Sequence, residues 1–171
     1  MSTETATFGA GCFWGVEHLF RVVPGVIDAV SGYSGGFVED PDYALVCTGT
    51  TGHAEVVQVT FDPDVVSYEQ LLEVFWAMHD PTQVNRQGPD RGTQYRSIVL
   101  TNSDEQRAVA EASRDRAQAR YADPIATEIV PFVAFYPAEE YHQRYYLKNG
   151  HEPYCHAIPS GLLEDLGLVR A

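Results

Sequence analysis

The stretch "ATFGAGCFWGVEHLFRVVPG", from Ala6 to Gly25, sets the reading of the fold. A strand-like run, "TATFGAG", ends beside a cysteine, and a helix-like run, "FWGVEHLFRVVPG", begins at once. In the second run Val16, Leu19, Phe20 and Val23 fall on one side at helical spacing, and Pro24-Gly25 stops it. Cys12 therefore marks a strand-to-helix junction.

Outward from this junction, "VIDAVSGYSGG" predicts a second strand running into a Gly-rich turn, and "EDPDYALVCTGTTGH" a loop. "AEVVQVTFDP" alternates as a strand, with Val57, Val59 and Phe61 opposite Val56, Gln58 and Thr60. "SYEQLLEVFWAMHDP" predicts a helix capped by Ser67, with Leu71, Leu72, Phe75 and Met78 at helical spacing and Pro81 at its end. A polar loop, "TQVNRQGPDRGTQ", precedes the strand "YRSIVLTN". "SDEQRAVAEASRDRAQARYAD" is an Ala-rich helix with an acidic first turn. "ATEIVPFVAFYPA" reads as one last strand, Pro131 implying an edge or a bulge. "EEYHQRYYLKN" is a short helix, and an irregular tail follows from Gly150. The order strand–helix–strand–strand–helix–strand predicts an α+β fold, a ferredoxin-like α/β sandwich with a split βαβ core, added elements and an irregular C-terminal tail.

At 171 residues the chain suffices for one domain, and its 44% hydrophobic and 20% charged composition is that of an ordinary globular protein. No run approaches the roughly 18 apolar residues of a membrane span. The start, "MSTETATFG", lacks the features of a secretory signal, so a cytoplasmic location is expected. The formal net charge of −13 argues against nucleic acid as a partner, since phosphate binding needs clustered Lys and Arg. Lys148 is the single lysine, and the arginines are dispersed. The three cysteines, Cys12, Cys47 and Cys155, are an odd count without a CxxC, which is not a secreted disulfide framework.

A cysteine entering the first turn of a helix lies in the positive end of the helix dipole. There the thiolate is favoured, and its pKa is expected below the free value of about 8.5. Gly11 and Gly15 permit close backbone approach, and Phe13 and Trp14 offer an apolar patch for a small uncharged group. A buried structural cysteine among core aromatics fits the same residues.

"GCFWG" resembles the active-site signature of the A-type peptide methionine sulfoxide reductases. Further matching blocks follow in order: "YALVCTGTTGHAEVVQVTFDP", "QGPDRGTQYRS" and "YHQRYYLKN", which together span Ala6 to about Gly150. The resemblance implies reduction of the S epimer of methionine sulfoxide, free or in oxidised proteins, and so repair of oxidative damage. It implies Cys12 as the nucleophile that becomes a sulfenic acid. It gives Glu55 as general acid, Tyr43 and Tyr95 as donors to the sulfoxide oxygen, Asp90 as an orienting acid, and Phe13 and Trp14 as the wall around the methyl group. A protonated Glu55 requires a raised pKa, which partial burial by the apolar run around it would provide.

The same resemblance makes 1–149 the catalytic domain and 150–171 its tail, carrying Cys155 as the resolving thiol. Cys155 follows Pro-Tyr here, where the family commonly has Gly-Tyr. The implied Cys12–Cys155 disulfide is reduced by thioredoxin, or by dithiothreitol in vitro, with no bound cofactor and no metal. The protein is expected to be a monomer without membrane contact. Cys47, beside Leu45 and Val46, reads as a buried structural thiol. Three other readings fit parts of the sequence: a zinc site at His151, Cys155 and His156; a Cys–His hydrolase pairing Cys12 with His53, His79 or His142; and a non-catalytic module that binds oxidised methionine or acts as a thiol sensor.

Overall fold

The computed structural model of the protein describes residues 2–150 and 156–168. In chain order the described elements are β1 (Glu4–Ala10), α1 (Phe13–Arg21), β2 (Val26–Ser34), α2 (Tyr43–Cys47), β3 (Ala54–Phe61), α3 (Tyr68–Met78), β4 (Arg86–Gln87), β5 (Asp90–Arg91), β6 (Ser97–Thr101), α4 (Asp104–Ala117), β7 (Glu128–Pro131), β8 (Phe135–Pro137), α5 (Tyr145–Asn149) and α6 (Leu162–Asp165). The architecture is mixed α and β. A six-stranded sheet runs β7-β6-β1-β3-β2-β8, and β4 and β5 form a separate hairpin. The pairs among β6, β1, β3 and β2 are antiparallel, β7 lies parallel to β6, and β8 is antiparallel to β2.

Strand alternation divides the core between the two faces of the sheet. Ala6, Phe8 and Ala10 of β1 join Val57, Val59 and Phe61 of β3 under the helices, with Phe20 of α1 and Leu71, Leu72 and Phe75 of α3. Phe8 anchors this layer, stacking on Phe20 at 5.1 Å and on Phe75 at 5.2 Å between ring centroids. The other face is smaller: Ala54, Val56, Ile98 and Leu100, covered by Val130, Phe132 and Phe135. Ser67 caps α3 as expected, and Gln70 completes a reciprocal capping box.

Four features differ from the sequence reading. The segment expected to be one strand near Pro131 forms two, β7 and β8, on opposite edges of the sheet. Pro131 ends β7 at the edge, where its missing N–H disrupts no ladder. The loop before β3 holds α2, whose Asp42 side chain accepts from the Leu45 N–H. The "EEYHQRYYLKN" helix breaks at Arg144, which takes a left-handed conformation (φ 52°) between a 3₁₀ turn at Glu140–His142 and α5. The tail after residue 155 is ordered against the body rather than irregular throughout. Ile158, Leu162, Leu163, Leu166 and Leu168 pack on the main core, and the Gln70 side chain donates to the Leu166 carbonyl. Among the described residues no helix is long and apolar enough to cross a membrane.

Candidate active site

Cys12 caps the N-terminus of α1, immediately after Gly11, whose φ of +98° turns the chain sharply out of β1. The side chain is 9% exposed, buried except for a narrow face. Glu55 reaches this junction because its position in β3 has the parity of Val57, Val59 and Phe61, the face that α1 covers. Its Oε1 accepts the Phe13 N–H at 3.2 Å, so the carboxyl is held by the peptide unit joining Cys12 to Phe13. That N–H belongs to the helix's first turn and has no partner inside the helix. Cys12 and Glu55 thus meet at one helix terminus.

The Glu55 carboxyl is 1% exposed, and Oε2 has no hydrogen-bond partner among the described residues. Burial pushes its pKa up to about 8; the Phe13 N–H opposes the shift, and the negative charge of Asp90 adds to it. Asp90 sits on the short hairpin strand β5, half-buried. Tyr95 follows in a 3₁₀ turn, and burial raises its phenol above the usual range, with Glu55, Cys47, Asp90 and Cys12 contributing through their charges. Tyr43 opens α2. Burial raises its pKa too, followed by a hydrogen bond with the Cys47 thiol and the charge of Glu55. Both phenols are therefore neutral donors at ordinary pH.

Phe13 is buried, its ring 5.7 Å from Tyr33 and 5.1 Å from His142. Trp14 is half-buried, stacked on Tyr145 at 3.7 Å, with its indole N–H donating to His142 Nδ1 at 3.0 Å. Cys47 is exposed, not buried as the sequence suggested: α2 turns Val46 inward and carries Leu45 and Cys47 outward. Cys155 lies outside the described residues, as does His151. His156 is described, and its Nε2 donates to the Ala10 carbonyl. Both ring nitrogens of His53 and of His79 are engaged away from Cys12, on Gly36 and Val38 and on Phe75 and Ser97 respectively.

Two site-shaping residues escaped the sequence reading. Glu139 accepts the Tyr43 N–H at 3.0 Å and the Tyr33 hydroxyl at 2.9 Å, tying α2 to the chain before α5. His142, weighed only as a hydrolase partner, packs 4.4 Å from the Tyr43 ring and accepts from Trp14. The available signal was the polar "EEYH" run within an aromatic-rich segment.

Known proteins resemble the chain over nearly its whole length. The family model described as peptide methionine sulfoxide reductase matches residues 4–166. A peptide methionine sulfoxide reductase of Methanothermobacter thermautotrophicus is 62% identical over 148 residues, covering 85% of this chain and 88% of that protein. The reduced form of Mxr1 from Saccharomyces cerevisiae superposes with a TM-score of 0.88 at 38% identity, over 92% of this chain and 93% of that one. Mxr1 in complex with Trx2 matches with a TM-score of 0.64 at 26% identity, over 92% and 91%. A buried acid beside an N-capping cysteine, together with a match over nearly the whole chain, leaves one conclusion: the protein belongs to the peptide methionine sulfoxide reductase family.

Proposed function

We propose that this protein reduces the S epimer of methionine sulfoxide, free or within oxidised proteins, through a sulfenic acid on Cys12. The observation that carries the proposal is Glu55, a buried carboxyl one peptide unit from Cys12 with a pKa raised to about 8. A sulfoxide sulfur accepts a thiolate only if its oxygen is protonated as the new bond forms, and Glu55 is the acid in reach. Tyr43 and Tyr95 donate to the same oxygen, and neutral phenols stabilise developing negative charge without bringing a cation of their own. The oxygen passes from methionine sulfur to Cys12, so methionine leaves reduced and Cys12 leaves as the sulfenic acid. Trp14 and Phe13 form the apolar wall that places the methyl group opposite the donors, and Asp90 orients the oxygen side.

Return to the thiol uses Cys155, whose thiolate attacks Cys12 Sγ. The S–O bond breaks, hydroxide leaves with a proton as water, and a disulfide remains. Thioredoxin then reduces that disulfide. The complex of Mxr1 with Trx2 supports this recycling partner by likeness. Both electron pairs come from thiols, so the cycle needs no bound cofactor. The antiparallel order β6-β1-β3-β2 supports the ferredoxin-like description, with β7 and β8 as additions at the edges. We take 1–149 as the catalytic domain and 150–171 as its tail, acting as a cytoplasmic monomer.

The test is an assay of separated S and R epimers with wild type and Cys12→Ser. Methionine should form from the S epimer only, and only with Cys12 present. Activity on the R epimer, or activity surviving the substitution, overturns the proposal.

A further inference from the structure

His156 follows Cys155 directly in the chain and is itself 5% exposed. Its ring lies against the strand-to-helix junction that carries Cys12. Nε2 donates to the carbonyl of Ala10, the last residue of β1. A Cβ at Gly15 would overlap Nδ1, and its other two nearest atoms, Cγ at 3.1 Å and Cε1 at 3.2 Å, belong to the same ring. A Cβ at Gly11 would lie 3.3 Å from Nε2. The imidazole thus fills a notch that exists only because residue 15, in the first turn of α1, has no side chain. Burial pushes the His156 pKa down, so the ring is neutral and its N–H is committed to Ala10.

We propose that His156 is the positioning residue of the resolving step, an anchor that holds the chain next to Cys155 against the junction bearing Cys12. This rests on the reading of Cys155 as the resolving thiol. The chemical step is the one already balanced: Cys155 sulfur bonds Cys12 sulfur, and the sulfenic oxygen departs as water. His156 takes no part in the bond changes. It shortens the search. The anchor is one residue from the Cys155 thiol in the chain, and consecutive Cα atoms are about 3.8 Å apart. Such tethering turns an encounter into an intramolecular step of high effective concentration. The chain beyond is held as well, by Ile158 and the leucines of α6 on the core and by Gln70 on Leu166. Removing the imidazole frees the end that matters, while Cys12, Glu55 and the tyrosines keep their places.

The test compares wild type, His156→Ala, Gly15→Ala and the double variant in single-turnover reactions with the S sulfoxide. Methionine release reads the first step; loss of the sulfenic acid, trapped by a dimedone-type probe, reads disulfide formation. His156→Ala should release one equivalent of methionine at the wild-type rate and form the disulfide at least tenfold more slowly. Thioredoxin-driven turnover should fall with it. Gly15→Ala evicts the ring and should reproduce that defect, and adding it to His156→Ala should change nothing further, since the two act on one contact. His156→Gln, which keeps a donor for Ala10, should recover part of the rate. Disulfide formation at the wild-type rate in His156→Ala overturns the proposal, and so does an additive double variant. Cys155→Ser run alongside separates the two readings. If thioredoxin-driven turnover survives that substitution, the assignment of Cys155 has failed; if it is abolished while His156→Ala is normal, only the anchor has.

Discussion

The burial of Glu55 makes its charged form unfavourable, and the proposed reaction draws on that same burial. A carboxyl with a pKa near 8 is an acid at neutral pH, and its proton disappears as the pH passes that value. Single-turnover methionine formation should therefore fall through about pH 8, roughly tenfold per further unit, and Glu55→Gln should lower the rate by about 10²-fold or more and flatten that limb. Linkage gives an independent readout. The folded pKa lies above the unfolded value of about 4.5, so the folded state holds the extra proton between the two. The stabilising contribution is complete below about pH 4.5 and is lost as the pH rises through about 8. Glu55→Gln should thus gain in melting temperature relative to wild type between pH 6 and pH 9; a constant difference contradicts the shift. Cys12 was legible in the sequence because glycines, aromatics and a change of period converge on it. Glu55 gained its role there only by resemblance, although its parity with Val57 and Val59 already pointed it inward. Cys47 was misjudged because apolar neighbours do not fix a face in a five-residue helix such as α2.

Elements are joined by polar groups that periodicity does not display. Glu17 of α1 is 2% exposed. It accepts Ser31 Oγ of β2 at 2.9 Å, Arg21 Nε at 3.2 Å, and the Arg144 N–H at 3.0 and 2.9 Å. One carboxylate therefore fastens α1 to the sheet and holds the left-handed turn at Arg144 ahead of α5. Glu17→Ala leaves buried donors without a partner and should destabilise the fold by about 3 kcal/mol, seen in a thermal melt as a drop of about 6–12 °C for a chain this long. A loss under 1 °C shows that water replaces the carboxylate. The long elements were readable because each repeats its pattern: α3 through its cap and leucines, β3 through alternation. The two-residue strands β4 and β5 and the pair β7 and β8 are too short to repeat anything. Their pairing is set by the edges and turns they meet, so one expected strand became two on opposite sides of the sheet.

The molecule as a whole carries 24 acidic against 11 basic residues, and salt acts on both sides of that imbalance. The described ion pairs favour low salt, but most have a well-exposed arm, as in Arg116–Glu69 at 52% and 58% or Arg107–Glu111 at 58% and 41%. Exposed pairs of this kind contribute about 0–1 kcal/mol each. The unmatched acids repel one another in the compact state, and expansion relieves that repulsion. Screening shortens the range of both effects, from about 10 Å at 0.1 M salt to about 3 Å at 1 M. Because acidic residues outnumber basic ones by 13, the net effect should favour the fold. The melting temperature at pH 7 should rise as NaCl increases, with the steepest gain below about 0.3 M, where the Debye length changes most. KCl should act equally, since screening depends on ionic strength and not on the cation. A rise that continues linearly to high salt indicates strengthened apolar burial instead. A fall on adding salt means that the arginine pairs outweigh the repulsion, and the acidic surface is then a network held by its few cations.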